Sequence, residues 1–349
     1  MPARLNEKLL SPIAGVVIFA LVAIAGFAYV KWMPYYAKAF VAQSHHFIGD
    51  SILSGKAAAP PPASWSAATD YAIAYGKAIW QALVLGLILG SGIKVLLPAH
   101  WVGAALGRIG FRSVALAGLF ATPCMMCTCC AAPVAAGMRQ SRASVGSVVS
   151  WWISNPVLNP ATLVFMGFVL GWDWALFRVV LGIAMVLVVA HLAEHYAGPQ
   201  AAASLEQDLI PEAETSQDNL LLRWIREFMT LAIRLVPEYL VLVLLLGAAR
   251  VWLFPVLGAH DGIGWIVAMA LAGTLFVIPT AGEVPIVQAM FALGMGAGPA
   301  GALIMTLPAV SLPSLVMLRR VFSLRIRLVI AAGVALSGMV AGLVAMFVF

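Results

Sequence analysis

Long apolar runs, separated by short polar or charged stretches, cover most of this chain. Runs of about 20 apolar residues are long enough to cross a hydrocarbon core of about 30 Å as helices. We therefore predict an all-α, polytopic membrane protein, because helices satisfy their own backbone polar groups in lipid. The predicted spans are residues 12–33, 71–97, 144–170, 174–196, 228–253, 299–318 and 328–349.

Two further apolar segments, 99–138 and 262–294, are interrupted in the middle by Pro, Gly and polar residues. Each is too long for one span, and its halves are too short to cross separately. Irregular backbone at membrane depth is tolerated where protein or a water-filled cavity surrounds it. We therefore predict about seven transmembrane helices plus two re-entrant hairpins, each of which enters and leaves the membrane on one side.

The second half of the chain repeats the residue pattern of the first half. Residues of the first half have counterparts in the second half at nearly the same spacing. The first-half residues are Lys77, Gln81, Gly90, Pro98, Pro133, Met138, Gly146 and Pro156. Their counterparts, in the same order, are Arg234, Glu238, Gly247, Pro255, Pro285, Met290, Gly298 and Pro308. Each unit consists of a span, a hairpin and two further spans. Because it crosses the membrane three times, an odd number, the second unit is inverted in the membrane relative to the first. Inverted repeats with interrupted helices are typical of secondary transporters, whose substrate site lies near the midplane between the repeats.

Composition and charge exclude a soluble catalytic domain and predict the topology. The chain is 63% hydrophobic and 10% charged, with a mean hydropathy of +1.00, whereas soluble domains are about 25% charged. The net charge of +6 reports topology and gives no reason to expect a nucleic-acid partner; the partners expected are the lipid bilayer and a small-molecule, metal or metalloid substrate. Since Lys and Arg favour cytoplasmic loops, we expect a cytoplasmic N-terminus and an outside C-terminus.

This topology divides the chain into four regions. Residues 1–70 form an N-terminal transmembrane helix and an outer loop, and residues 71–197 form the first repeat with its cysteine-containing hairpin. Residues 198–227 form an acidic cytoplasmic linker, and residues 228–349 form the inverted second repeat. Lys31, Lys38 and Lys56 fall in the outer loop 31–70, against the charge rule, although the length of that loop reduces their weight. The oligomeric state is left open.

The stretch ATPCMMCTCCAAP, residues 121–133, holds all of the chain's cysteines: Cys124, Cys127, Cys129 and Cys130. Thiols three residues apart can converge on one soft ion, and a tip open to the reducing cytoplasm is not expected to form a structural disulfide. Thiolates, with Met125 and Met126 as added thioethers, suit Cu(I), zinc or trivalent arsenic. A structural zinc site is disfavoured, because ligands this close in sequence do not easily form a tetrahedron.

We therefore predict that all these thiols contribute to a substrate site. Cys127 and Cys130 are the pair expected to hold a metal or metalloid, because their spacing matches about one helical turn. No resident cofactor is expected.

Proline pairs interrupt two predicted spans in the middle. Asn155 and Asn159 accompany the prolines of NPVLNP in span 144–170, and Ser311 takes the equivalent place in span 299–318. Proline removes a backbone donor and frees nearby carbonyls, so these interruptions can hold polar cargo. We predict that Asn155, Asn159 and Ser311 bind substrate.

The second hairpin tip, PTAGEVP at residues 279–285, adds Thr280 and Glu283 to the predicted substrate site. A charge at membrane depth usually lines a pathway or has a partner. Glu283 and Glu238, both placed at this depth, are therefore the candidates for proton coupling. Arg234, one helical turn from Glu238, would offer the latter a simple structural partner.

Four of these motifs together resemble the ArsP-like permease family: the TPCMMCTCCAAP hairpin, the MRQSRAS that follows it, the NPVLNP helix and the IPTAGEVP hairpin. The resemblance covers about residues 70–320. Members of that family are polytopic inner-membrane permeases; characterised ones export trivalent organoarsenicals, and some are described as copper or zinc efflux proteins. The resemblance implies efflux of a trivalent organoarsenical, or next of copper or zinc, with the tip cysteines as ligands.

Two other classes of function remain open at this point. The chain has no GxxxxGK[ST] loop, so a transporter of this sequence is not expected to use ATP by itself. A membrane thiol oxidoreductase could use Cys-x-x-Cys with a quinone, although such enzymes usually need a second relay pair and cysteines on the oxidising side. An importer or channel for a sulfur compound is the third alternative. The primary prediction is a secondary efflux permease and not an enzyme.

Overall fold

The computed structural model describes residues 12–55, 57, 59–198, 219–255 and 261–349. The regular elements of this part of the chain are helices, and one isolated bridge joins Ser51 and Gly55. The helices in chain order are α1 (Pro12–Phe27), α2 (Met33–His45), α3 (Trp65–Leu96), α4 (Ala99–Leu106), α5 (Phe111–Ala121), α6 (Thr128–Gln140), α7 (Val145–Val157), α8 (Pro160–Val169), α9 (Trp172–Ala197), α10 (Leu220–Leu253), α11 (Ile263–Leu275), α12 (Glu283–Ala292), α13 (Ala297–Ala309), α14 (Leu312–Met317) and α15 (Leu324–Val348). The predicted all-α membrane class is confirmed.

Six described segments are long and apolar enough to cross a membrane: Ile13–His45, Trp65–Leu96, Trp172–Ala197, Leu220–Leu253, Ala297–Arg320 and Leu324–Val348; a bent pair, Ala99–Leu106 with Phe111–Cys124, makes seven if it is counted as one span. Apolar side chains on these helices point outward. On α1, for example, Ile13, Val17, Leu21 and Ile24 form one exposed stripe. An exposed stripe at helical spacing is what a lipid-facing surface requires.

Several predicted boundaries were wrong. The first helix does not end near residue 33: a π-helical turn, Ala28–Trp32, joins α1 to α2, so the predicted outer loop begins with helix. Pro34 directly follows the π-helical turn, and such a turn lets the helix continue past a residue that cannot join its i→i−4 hydrogen bonds. α10 begins at Leu220 and not at 228, because Asn219 accepts a hydrogen bond from the Leu221 amide and caps it. Most acidic residues of the predicted linker lie outside the described residues; Glu227 lies in α10 and forms an ion pair with Lys94.

Both interrupted apolar segments form hairpins whose ends meet. In the first, the Ser144 amide after α6 donates to the Leu106 carbonyl before α5, with N and O 2.9 Å apart. In the second, the Asp261 carboxylate before α11 lies against Gly296 after α12. Because each segment returns to its starting level after two short helices, the re-entrant prediction is confirmed for both.

The two hairpins open at opposite ends of α9. At one end, the Glu194 carboxylate accepts a hydrogen bond from the Gly146 amide, just after the first hairpin. At the other end, the Trp174 ring packs on Phe291 of the second hairpin, with ring centroids 5.5 Å apart. A helix of 26 residues is about 39 Å long. The hairpins therefore enter the molecule from opposite sides.

The first arm of each hairpin and the helices that follow the hairpin pack in the same way in both halves. In the first half, α5 packs on α7 and α9, and α7 packs on α9; in the second half, α11 packs on α13 and α15, and α13 packs on α15. The long helices that precede the hairpins, α3 and α10, pack on each other. Two related units of opposite direction thus enclose the hairpin tips at the centre of the molecule.

The predicted span 144–170 is a broken crossing formed by two helices. α7 ends at Val157, and α8 begins at Pro160 with the Asn159 side chain as its cap. Its partner in the second half is broken in the same way between α13 and α14, where Ser311 caps α14. The prediction that both interruptions fall in the middle of a span is confirmed.

Candidate functional site

The hairpin tips and the two helix breaks surround one small cavity. The first tip contributes Cys127 and Thr128, the second contributes Thr280 and Glu283 with its neighbours Ile278, Pro279 and Ala281, and the helix breaks contribute Pro156 and Pro308. The cavity has room for about one water molecule. The tips are therefore closed on each other in this conformation.

The first tip is fixed by α7. After a short 3₁₀ turn, Met125 adopts a left-handed conformation with φ 52°, which turns the chain into α6. The Met126 amide donates to Oδ1 of Asn155 at 3.1 Å, and Nε1 of Trp152 donates to the Thr128 carbonyl at 2.8 Å. Asn155 thus lies beside the tip as predicted, and its oxygen holds the cysteine-bearing backbone in place.

Cys127 and Cys130 form the thiol pair of the site, and their sulfur atoms lie 2.8 Å apart. Cys127 is the N-cap residue of α6 and Cys130 lies in its first turn, so the helix brings the two thiols together. Both are free and buried. Sequence spacing predicted this pairing, and the geometry agrees with it.

The other two thiols, of Cys124 and Cys129, contact different parts of the molecule. Sγ of Cys129 is 3.7 Å from Oγ of Ser311 at the second helix break. Sγ of Cys124 is 3.6 Å from the Phe120 carbonyl and does not line the cavity. The cluster is therefore uneven: Cys129 reaches the second repeat through Ser311, whereas Cys124 is directed back to its own hairpin arm.

Lys31 also belongs to the site, which corrects its predicted place in an outer loop. Its ammonium is buried and donates to the hydroxyls of Tyr35 and Thr280, each at 3.2 Å. The thiols of Cys127 and Cys130 lie within its electrostatic range. The outer-loop prediction was wrong because the first helix continues through this position, and so carries Lys31 into the core.

Glu283 forms a buried ion pair with Arg178 of α9. Nη1 of Arg178 and Oε1 of Glu283 are 2.6 Å apart, and the side chains are 0% and 1% exposed. The remaining donors of Arg178 bind the Val157 and Pro156 carbonyls, at 2.9 and 2.7 Å, beside the break between α7 and α8. Oε2 of Glu283 has no partner among the described residues. The arginine thus joins the second hairpin tip to the broken helix of the first repeat.

The remaining predicted residues are placed differently from one another. Oδ1 of Asn159 accepts hydrogen bonds from Ala161 and Thr162, while its buried Nδ2 has no partner in the described part of the chain. Glu238 does not line the cavity: it pairs with Arg319, and not with the nearby Arg234, and the two side chains are 30% and 46% exposed. Among the predicted residues, Glu238 alone lies in an exposed ion pair.

Two residues of the site, Lys31 and Arg178, were missed from the sequence. Arg178 lies inside the predicted span 174–196, and Lys31 lies where the predicted span 12–33 overlaps the outer loop assigned to 31–70; a charge within an apolar span is itself a signal of function. The signal could have identified them. Their partners could not be read in the same way, because Lys31 reaches Thr280 and Arg178 reaches Glu283 only after folding.

The thiol pair offers two soft ligands at the site. No group of three or more His, Cys, Asp or Glu side chains is arranged to hold a metal ion among the residues that the structure describes. A structural zinc ion usually takes four protein ligands. The pair Cys127–Cys130 offers two thiols, which is enough for a cargo that has two exchangeable positions.

Comparisons with known proteins point to one family. The model of ArsP_1, described as a predicted permease, matches residues 78–347. UPF0718 protein YraQ of Escherichia coli strain K12 is 55% identical over 329 residues, covering 93% of this chain and 93% of the relative. UPF0718 protein MJ0584 of Methanocaldococcus jannaschii is 22% identical over 306 residues, covering 69% of this chain and 84% of the relative. No solved structure matches.

Proposed function

Because this chain belongs to the predicted permease family ArsP_1, we propose that it is a secondary efflux permease for a thiol-reactive metalloid or soft metal. A trivalent organoarsenical is the first candidate cargo, and copper or zinc is the second. Export across the inner membrane, with the N-terminus in the cytoplasm and the C-terminus outside, belongs to the same proposal.

The observation that carries the proposal is the pair Cys127–Cys130, of which Cys127 lines the cavity between the two hairpin tips. A monosubstituted trivalent arsenical carries two exchangeable hydroxyls. Two neighbouring thiols can replace both, with release of two waters and no change in charge. Soft sulfur ligands favour this exchange over hard oxygen-seeking ions.

The surroundings of the pair support transport and release. Cys129 lies next to Cys130 and approaches Ser311 of the second repeat, so exchange between thiols offers the cargo a route without a fully uncoordinated step. Hairpins that open at opposite ends can expose one central site to each side in turn. Glu283 is our candidate for proton coupling because it lines the cavity. Nδ2 of Asn159, at the break between α7 and α8, has no partner among the described residues and is free to bind cargo.

The proposal predicts that the thiol pair is needed for resistance. Cells that lack their own arsenic exporters and express Cys127→Ser or Cys130→Ser should lose resistance to phenylarsenite, because one thiol cannot fill both exchangeable positions. Growth on pentavalent phenylarsonate should not change, since that form does not bind thiols readily. Cys124→Ser is the matched control: its thiol contacts a carbonyl of its own hairpin arm, and resistance should be largely kept.

Other outcomes would favour the alternatives. If a variant with all four cysteines replaced by serine still protects cells against arsenicals, copper, zinc and antimonite, the cluster serves packing. Accumulation of phenylarsenite by everted vesicles measures export directly; uptake by intact cells instead would indicate an importer. A quinone-dependent change in the number of free thiols, without transport, would indicate an oxidoreductase.

A further inference from the structure

The buried ammonium of Lys31 has no carboxylate within ion-pair distance in the part of the chain that the structure describes. It is 5% exposed, and its hydrogen-bond acceptors are two neutral hydroxyls. It also lies 5.1 Å from the centroid of the Tyr35 ring. A buried charge is costly unless it is paired. This charge at the site therefore has no acidic counterpart among the residues that the structure describes.

The charges of Arg178 and Glu283 compensate each other in their own ion pair. With both thiols protonated, the site thus keeps one positive charge, at Lys31, that has no carboxylate partner among the described residues. The sulfur atoms of Cys127 and Cys130 are the groups in its range that become negative when they bind a metal.

Building on the proposed function, we propose that Lys31 is a specificity-determining residue: it supplies the counter-charge for a monoanionic cargo complex, and so extends the cargo range to monovalent soft cations. A cation M⁺ such as Cu(I) or Ag(I) binds two thiols with loss of two protons to water, which gives [M(SR)₂]⁻. Lys31 neutralises that complex. A monosubstituted arsenical replaces two hydroxyls, releases two waters and forms a neutral complex, which gains no such benefit.

The position of Lys31 in the chain supports a role in specificity. The family match begins at residue 78, so the helix that carries Lys31 lies outside it. That helix contacts both hairpins: Nε1 of Trp32 donates to the Pro123 carbonyl at 2.7 Å, next to the Lys31–Thr280 bond. The thiols thus come from the part of the chain that the family model matches, and the charge proposed to select among cargoes comes from a helix that precedes it.

Binding of two probes to one purified protein tests this inference. Ag(I) represents the monovalent cations and phenylarsenite the neutral cargo; both affinities are measured in detergent, without added thiols, for wild type, Lys31→Met and Lys31→Arg. Lys31→Met should weaken Ag(I) binding on the order of 30-fold or more and leave phenylarsenite binding within a few-fold. Lys31→Arg should keep most Ag(I) affinity. Lys38→Met, half-buried on the same helix, should change neither.

The ratio of the two affinities within one variant separates the outcomes. Retained phenylarsenite binding shows that the variant is folded. A parallel loss of both probes in Lys31→Met and Lys31→Arg would assign Lys31 a structural role, and unchanged binding of both would remove it from the site; either result overturns the inference and leaves the proposed function standing. Failure of the wild type to bind either probe overturns the proposed function, and the inference with it.

Discussion

Charged side chains in this apolar core are placed where they connect parts of the chain that are distant in sequence. Arg178 is the clearest case, because it contacts Glu283 on one side and the Pro156 and Val157 carbonyls on the other. The prolines of the broken span leave carbonyls without helical donors. The guanidinium therefore satisfies freed backbone acceptors and a buried carboxylate together, at the junction of the two repeats.

This arrangement predicts that Glu283 is required both for coupling and for the stability of the site. Glu283→Gln should abolish proton-driven accumulation of phenylarsenite in everted vesicles, because the amide cannot exchange a proton. It should also lower the thermal unfolding midpoint in detergent, since breaking a buried pair leaves Arg178 uncompensated at a cost of about 3–5 kcal/mol. The double variant Arg178→Gln/Glu283→Gln should be less destabilised than the sum of the single variants.

The exposed pair Glu238–Arg319 is the matched control for this prediction. Its side chains are 30% and 46% exposed, and such pairs contribute about 0–1 kcal/mol. Glu238→Gln should therefore leave both the unfolding midpoint and accumulation close to wild type. Proton-driven transport that persists in Glu283→Gln and disappears in Glu238→Gln would transfer the coupling role to Glu238.

The identity of the site residues was readable from sequence only where a local pattern carried it. Cys127 and Cys130 are three residues apart at a helix start, so their pairing follows from the helix geometry. Lys31 and Arg178 are single charges in long apolar runs, and their importance depends on which distant group each meets. That information arises from packing between helices, which no local pattern specifies.

Close packing between α3 and α6 fixes the cysteine tip in position. A Cβ at Gly86 would meet the Cys130 carbonyl and the Met126 side chain, and a Cβ at Gly90 would meet the Pro133 carbonyl. The backbones of the two helices thus approach through positions that lack side chains. Small residues at helix crossings permit such approach in membranes, and here they place the thiol-bearing turn against the long helix of the first repeat.

Gly86→Ala should therefore shift the tip. The added methyl group has no room, and overpacking of this kind costs about 1–3 kcal/mol. We expect a lower unfolding midpoint together with weaker phenylarsenite binding, because Cys130 is the residue that is displaced. Gly76→Ala on the same helix is the matched control: no atom lies within 4 Å of its Cβ position, so binding should not change. Equal effects of both substitutions would contradict a specific role of the α3–α6 contact.

The hairpins and broken spans were predictable because proline and glycine interrupt otherwise apolar runs at Pro123, Pro156, Pro279 and Pro308. The ends of the helices were less predictable from the sequence. The first helix continues through Pro34 by way of a π-helical turn, and Asn219 starts α10 earlier than hydropathy indicated. Hydropathy detects the part of a helix that lies in lipid, whereas capping and packing determine where the helix ends.

The arrangement of the chain in the bilayer follows from the relation of the two hairpins to α9. The first hairpin opens beside Glu194 and the second beside Trp174, at opposite ends of one long apolar helix. Since α9 is long enough to cross the membrane, the hairpins open on opposite sides of it. Alternating exposure of a central site then requires only that one hairpin loosens while the other stays closed.

Labelling of single introduced cysteines in intact cells tests this topology. The native thiols are buried, so wild type should remain unlabelled by a membrane-impermeant maleimide and gives the blank. Ala292→Cys, exposed at the opening of the second hairpin, should react in intact cells. Arg108→Cys, exposed at the opening of the first hairpin, should react only after the membrane is permeabilised, because the arginines at that end favour the cytoplasm. Reaction of both positions from the same side would contradict the inverted arrangement. Reaction of Arg108→Cys in intact cells, with Ala292→Cys reacting only after permeabilisation, would keep the inversion but reverse the orientation of the protein in the membrane. The cysteine hairpin would then open to the outside, and the proposed export would become uptake.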